Sequence, residues 1–236
     1  MMASLGEQQN VDYLEILSLI HSTLSPQTYL EIGSRNGDSL RRARCPSIAI
    51  DPQFDLDKGS IESKPSCFLF QMTSDKFFSK FSPQALLEGP VDFAFLDGMH
   101  LYEFLLRDFM HVEAFSKRNS IIAIHDAIPS DLKMAERVPT LGAAWAGDVW
   151  KTMLILKKYR PDLKILCLDA EPTGLVVITN LNAASRLIPE RYFSLVDEFR
   201  ELSLADFGIE RYREEMSILP GSSIRSFEAL SSWFWL

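Results

Sequence analysis

Five short apolar runs, each closed by polar residues, constrain this chain more than any other feature. "TYLEI", "SIAID", "CFLFQMT", "VDFAFLD" and "SIIAIHD" follow one another between Thr28 and Asp126. They are rich in aliphatic, β-branched and aromatic residues with little alternation, so each predicts a strand that is covered on both faces. Helical spacing occurs between and around them. Tyr13, Leu17, Ile20 and Leu24 predict an amphipathic helix from about Val11 to Leu24. Leu101, Leu105, Phe109, Val112 and Phe115 predict another from about Leu101 to Lys117. Strands alternating with helices imply a mostly parallel sheet.

The first run is broken by Gly33 and Gly37 and followed by "DSLRRAR", where Asp38 or Ser39 is placed to cap a helix. Beyond the fifth run, "GDVWKTMLILKKY" predicts a helix with Val149, Met153 and Leu156 inward, its start capped by Asp148. "LKILCLD" and "GLVVITN" are then separated only by "AEPT", which suits an antiparallel hairpin and is too short for a crossover helix. From Ile188, the spacing of Tyr192, Leu195, Phe199 and Leu202 marks a C-terminal helix, and "SSWFWL" ends the chain. The expected fold is α/β: a doubly wound, mostly parallel seven-stranded sheet ending in an antiparallel hairpin. A helical extension is expected at 1–26, a core at 27–182, and a helix with an apolar tail at 183–236.

A length of 236 residues fits a single domain. The net charge of −8 and pI near 5.1 disfavour phosphate backbones, so nucleic acid is not an expected partner. Arg41-Arg42-Ala43-Arg44 and Lys157-Lys158-Tyr159-Arg160 read as solvated helix ends, and Glu103 with Arg107 as a surface pair one turn apart. His21 and His111 fall within helices, the latter on a solvated face. Cys45, Cys67 and Cys167 form neither a CxxC pair nor an even set, which points to a reducing, cytoplasmic setting. "MMASLGEQQN" lacks the basic start and apolar block of a secretory signal, and no apolar run is long enough to span a bilayer, so no membrane partner is expected. The apolar tail predicts packing onto the domain or onto a second subunit, as in a homodimer.

Ligands of open parallel sheets bind beyond the carboxyl ends of the strands. That rule brings Glu31 with Gly33–Gly37, Asp51, Thr73-Ser74, Asp97–His100 and His125-Asp126 to one rim. The glycines permit close backbone approach. Asp51 ends the strand after the glycine turn, where a carboxylate is placed to accept two ribose hydroxyls. The spacing is GxxxG, whereas a nicotinamide-dependent oxidoreductase calls for GxGxxG.

In this order "YLEIGSRNGDSL", "IAIDP", "VDFAFLDGMHLYEFLLRDF" and "IIAIHDAIP" resemble class I S-adenosylmethionine-dependent methyltransferases. The nearest branch has an FxDGxHxY segment and includes small-molecule and sugar O-methyltransferases. The resemblance spans about Tyr29 to Asn180. It implies S-adenosylmethionine as cofactor, its methionine end among Glu31, Gly33 and Gly37, its ribose on Asp51, and its adenine beside Thr73 and Ser74, with Ser34, Ser39 and Asp97 also in the cofactor site. Many relatives carry an acid at the position of Thr73. By the metal-dependent relatives, Asp97, His125 and Asp126 would hold magnesium or another divalent cation.

Such chemistry asks for an acceptor oxygen aligned with the methyl carbon and for removal of its proton. Asp97 and His100 are the candidate catalytic residues, His100 as proton acceptor or else as a residue opening the next helix. The expected activity is O-methylation of a small-molecule hydroxyl on a sugar or natural product. The alternatives are a non-catalytic scaffold of the same fold and an oxidoreductase. Trp150 reads as a core residue at its helix start or as a wall of the acceptor pocket.

Overall fold

A computed structural model of the chain describes residues 11–140, 142, 144–224 and 226–235. The segment "MMASLGEQQN" and Leu236 of the tail lie outside these. The elements in order are β1 (Val11–Asp12), α1 (Tyr13–Leu24), β2 (Tyr29–Ile32), β3 (Ser47–Ile50), β4 (Cys67–Phe70), α2 (Ser74–Phe78), α3 (Pro83–Leu86), β5 (Val91–Leu96), α4 (Tyr102–Ala114), β6 (Ser116–His125) and α5 (Trp150–Tyr159). There follow β7 (Lys164–Glu171), β8 (Leu175–Thr179), α6 (Leu187–Phe199), α7 (Leu204–Phe207), α8 (Ile209–Met216), β9 (Leu219–Pro220) and α9 (Phe227–Trp233).

The seven expected strands are present and lie in the order β7-β8-β6-β5-β2-β3-β4. β4, β3, β2, β5 and β6 pair in parallel, and β8 runs antiparallel between β6 and β7. The expected count of seven is corrected to nine among the described residues. Two-residue strands from either terminus, β1 and β9, both pair in parallel with β7. They satisfy backbone groups that an open sheet edge leaves unpaired, and no periodicity announces strands so short.

Period-two alternation divides the core into two layers. Leu30, Ile32, Ala94 and Leu96 face α4, α5 and α6, whereas Tyr29, Phe93 and Phe95 face α1 and the C-terminal segment. Asp12 caps α1 by accepting from Leu14 N at 2.7 Å, and Ile16, Leu17 and Ile20 bury its inner face. The tail joins this second layer, with Leu230 and Phe234 buried and Trp235 exposed.

Several local expectations give way to tertiary packing. The helix expected after the glycine turn is one 3-10 turn, Leu40–Arg42, and Ser39 makes no side-chain cap there. Beside that short crossover lies an open groove of about 930 Å³ between α1 and Arg41, Arg42 and Arg44. Asp148 caps α4 rather than α5, accepting from Tyr102 N at 3.1 Å. Glu103 and Arg107 do not pair: Glu103 binds Arg137, and Arg107 binds Asp75 at 2.6 Å and the Tyr192 hydroxyl at 2.6 Å. Arg160 is buried on Glu113 at 2.7 Å, and the His111 ring stacks on Phe78. Trp150 is core, packed against Phe207 and Tyr212. Among the described residues no helix is long and apolar enough to cross a membrane.

His21 sits edge-on to Tyr29 and Phe93 in the second core layer. Burial, aided by the charges of Lys64 and Arg44, lowers its pKa from the ordinary 6.5 to about 3. A base held neutral in the fold contributes stability that is complete above pH 6.5 and is lost as pH falls towards 3, because the unfolded chain takes the proton first. Between pH 7.5 and pH 5 this one group accounts for about 2 kcal/mol. Denaturant unfolding at both pH values is expected to show a smaller difference, by roughly that amount, in His21→Phe. An unchanged pH dependence would exclude His21 as its source.

Candidate active site

β2 and β5 are neighbours, yet β3 and β4 come between them in sequence, so the crossovers leave the sheet in opposite directions at this point. A crevice opens there beyond the strand ends. On one side is the glycine turn. Gly33, at φ +89°, passes so close to the other side that an added Cβ would lie 1.9 Å from the Asp97 carbonyl oxygen. Gly37, at φ +78°, faces Ser60 and Leu56. Packing of loop on loop therefore already requires both glycines.

Glu31 is fully buried at the foot of the turn, where the Tyr29 hydroxyl donates to it at 2.5 Å and the Ser39 hydroxyl at 3.0 Å. Burial raises its pKa to about 7, against the pull of the Tyr29, Ser34 and Ser39 hydroxyls and with the charge of Asp97. Asp51 ends β3 and accepts from Arg35 N at 2.8 Å and Gln53 N at 2.7 Å, one bond per carboxylate oxygen. It thus ties the glycine turn to the next strand, and each oxygen keeps acceptor capacity. Thr73 caps α2 through Lys76 N, while the Ser74 hydroxyl hydrogen-bonds buried Asp108. Glu31, Ser34, Ser39, Asp51, Thr73 and Ser74 all lie at or beside the carboxyl ends of β2, β3 and β4.

Opposite the turn, two carboxylates and two imidazoles alternate around a square. His100 Nε2 lies 3.1 Å from Asp126 Oδ2 and 3.4 Å from Asp97 Oδ1, and His125 Nδ1 lies 3.5 Å from Asp97 and 3.6 Å from Asp126. Asp97 and His100 are roughly one-fifth exposed, at 21% and 23%, while Asp126 and His125 are each 8% exposed. Burial alone would raise Asp97, but the two imidazoles outweigh it and hold the carboxyl below the usual range. Burial opposes charge on both histidines and is itself outweighed. Asp97 and Asp126 raise His100 to about 9, and the same acids raise His125. Burial raises Asp126.

The residues expected to hold a cation, Asp97, His125 and Asp126, lie together, with His100 among them. Ligand atoms of Asp97, His100 and Asp126 lie within 4.8 Å of one another, so His100 joins the two acids. His125 lies behind them, stacked at 3.9 Å on Tyr13 and 3.3 Å from the Thr173 hydroxyl, which donates to Asp126. The set fits a cation on two observations. Asp97 Oδ1 is buried and has no hydrogen bond of ordinary length. His100 Nδ1 lies 2.9 Å from the Trp145 carbonyl, which accepts only, so Nδ1 carries a proton whatever the state of Nε2, and Nε2 faces the acids.

Tyr13, Trp145 and Thr173 border the site and were not among the residues expected there. Tyr13 has the spacing of a core position; its arrival beside His125 follows from α1 running down the sheet face from the rim. Trp145 stacks on His100 at 5.1 Å, the place the sequence offered to Trp150. Thr173 lies in the hairpin connection between β7 and β8, which no motif marks.

The family model described as "Methyltransferase domain" matches residues 30–127, from β2 to the residue after Asp126. Among solved structures, the chain is similar to cofactor-bound Rv0187 from MTB, at 13% identity and TM-score 0.50, over 77% of this chain and 84% of that chain. It is also similar to the O-methyltransferase TomG from Streptomyces achromogenes, solved with S-adenosylmethionine, at 13% identity and TM-score 0.50, over 72% and 80%. Comparison with curated protein sequences finds no match. Residues 30–127 thus match a methyltransferase-domain model, and the strand order belongs to the fold that these solved structures share.

Gly33→Ala places a methyl group inside the Asp97 carbonyl and adds strain from positive φ. Thermal or denaturant unfolding is expected to show a loss of about 3 kcal/mol or more. A variant as stable as the parent would contradict the close pass of the two loops.

Proposed function

We propose that the protein transfers the methyl group of S-adenosylmethionine to a hydroxyl oxygen of a small molecule, a sugar or other natural product, with a divalent cation at Asp97, His100 and Asp126. The observation that carries this reading is the meeting of the glycine turn with the Asp97 turn, which sets the carboxyl ends of β2 and β3 beside a cluster of acids and imidazoles. A scaffold of the same fold has no need of four polarised side chains gathered there.

In this reading Glu31 and the Gly33–Gly37 turn, with Ser34 and Ser39, hold the methionine end of the donor. Asp51 accepts the ribose hydroxyls, and Thr73 and Ser74 border the adenine. The reaction breaks the sulfonium carbon–sulfur bond, forms a carbon–oxygen bond and releases the hydroxyl proton. A cation at this site, when bound, supplies a Lewis acid that lowers the pKa of the acceptor hydroxyl. Two carboxylate oxygens and one imidazole nitrogen suit manganese or zinc better than magnesium, which favours an all-oxygen shell. His100 is protonated at neutral pH in the metal-free protein, since its pKa stands near 9. It must lose the Nε2 proton before it ligates or accepts another, so its first role is to hold the two acids in place.

Calorimetric titration is expected to show binding of S-adenosylmethionine and its demethylated product and none of NAD; the converse would refute the donor assignment. Asp51→Ala removes charge-assisted bonds worth about 1.5–3 kcal/mol, so donor affinity should fall roughly 10–100-fold. Asp97→Asn should leave donor affinity within about threefold and lower turnover on a panel of hydroxylated acceptors by at least roughly tenfold. A chelator should lower turnover in step with Asp97→Asn. Full activity in excess chelator would remove the cation and keep the methyltransferase.

A further inference from the structure

The twenty-four residues from Asp126 to Val149 join β6 to α5 without a strand or helix among those described, and within them Trp145 and Gly147 pack onto His100. Loops of this length inside a compact domain are usually functional. The contacts of this one converge on a single residue. The Trp145 carbonyl holds His100 Nδ1 at 2.9 Å, and the Trp145 indole lies over the imidazole at 28° between planes. Trp145 is itself anchored: its Nε1 donates to the Glu136 carbonyl at 2.6 Å, and Ala146 N and Gly147 N both bond the Met134 carbonyl.

Two further contacts fix the loop against the turn. Gly147, at φ +63°, lies so near the His100 backbone that an added Cβ would sit 1.7 Å from its carbonyl oxygen. Arg137 bridges Glu103 on α4 and buried Asp148, at 2.6 Å to each. The loop therefore grips His100 at its ring, at its backbone and through the helix that follows it. A ring nitrogen bound to a carbonyl fixes which nitrogen carries the proton and how the ring is turned.

We propose that Trp145 is a positioning residue for His100: by carbonyl bond and ring stacking it sets the tautomer and orientation that turn Nε2 towards Asp97 and Asp126. This rests on the reading of that cluster as a cation site. Trp145 is held to His100 by a carbonyl bond and a ring contact, and through His100 it reaches the two acids. Residues that orient a ligating histidine in this way commonly change metal affinity by about 10–100-fold when replaced.

The test compares the full-length protein with Trp145→Ala and Trp145→Phe by titration with manganese and, separately, with S-adenosylmethionine. Trp145→Ala should lose about 10–100-fold in manganese affinity and keep its donor affinity. Trp145→Phe retains a stacking ring and loses only the indole anchor, so its manganese loss should be below about tenfold. Unchanged manganese affinity in Trp145→Ala overturns the proposal. An equal loss of donor affinity in both variants also overturns it, because it marks a general loosening of the fold.

Long-range proton–nitrogen spectra of the metal-free protein give a second readout, the ring nitrogens of His100. Their shifts should move in Trp145→Ala, and identical shifts refute the positioning role whatever the metal does. Should the parent protein fail to bind manganese while these shifts still move, the cation reading falls and the positioning role stands.

Discussion

The approach of the Gly33 backbone to the Asp97 carbonyl is the contact on which the remaining arrangement depends. β2 and β5 are paired in register up to Ile32 and Leu96, so the next residue of each strand leaves the sheet at the same height. One chain turns towards β3 and the other towards α4. Only a residue without Cβ fits between them, and the positive φ of Gly33 bends its chain away at once. The crevice that results carries Glu31 and the glycine turn on one wall and the Asp97–His100 turn on the other.

Electrostatics at this crevice follow from how charge is paired under partial burial. Two carboxylates this close would repel, and one would retain its proton, were there no cations between them. His100 supplies such a cation and His125 is shifted in the same direction, which holds Asp97 below the usual carboxyl range. Alternating acids with imidazoles offsets like charge on like charge where four ionisable groups are gathered at the sheet edge. Its members come from two consecutive strand ends, at Asp97–His100 and His125-Asp126, and Thr173 and Tyr13 close it from the hairpin and from α1. Asp126 holds its carboxylate there at φ +60°, a conformation that non-glycine residues seldom adopt and that acidic and amide side chains tolerate best.

Much of this was legible in the chain because strand ends carry their own signal. An apolar run stopped by Asp51, by Asp97 or by His125-Asp126 marks both the strand and the polar residue at its carboxyl end. The parallel-sheet rule then brings those residues to one rim. The hairpin of β7 and β8 was equally readable from the short connection "AEPT". Local reasoning failed where a partner far along the chain decides the outcome. "DSLRRAR" has a cap and a helical composition, yet the chain returns to β3 after one 3-10 turn. Glu103 and Arg107 are correctly spaced to pair, but each has a better-placed partner in Arg137 or Asp75, brought close by folding.

By itself, the sequence determined seven of the strands, the parallel direction of five of them, the closing hairpin and the polar residues at the strand ends. Each of these follows from patterns of a few residues and from the alternation of strand and helix. Tertiary structure alone decided that His100 faces the two acids while His125 stands behind them, that Trp145 and not Trp150 lies at the site, and that Tyr13 reaches it from the N-terminal helix. The physical reason is that ring orientation and stacking depend on distances between segments tens of residues apart. Those distances are set by the packing of the two layers on the sheet, and no local pattern of side chains encodes them.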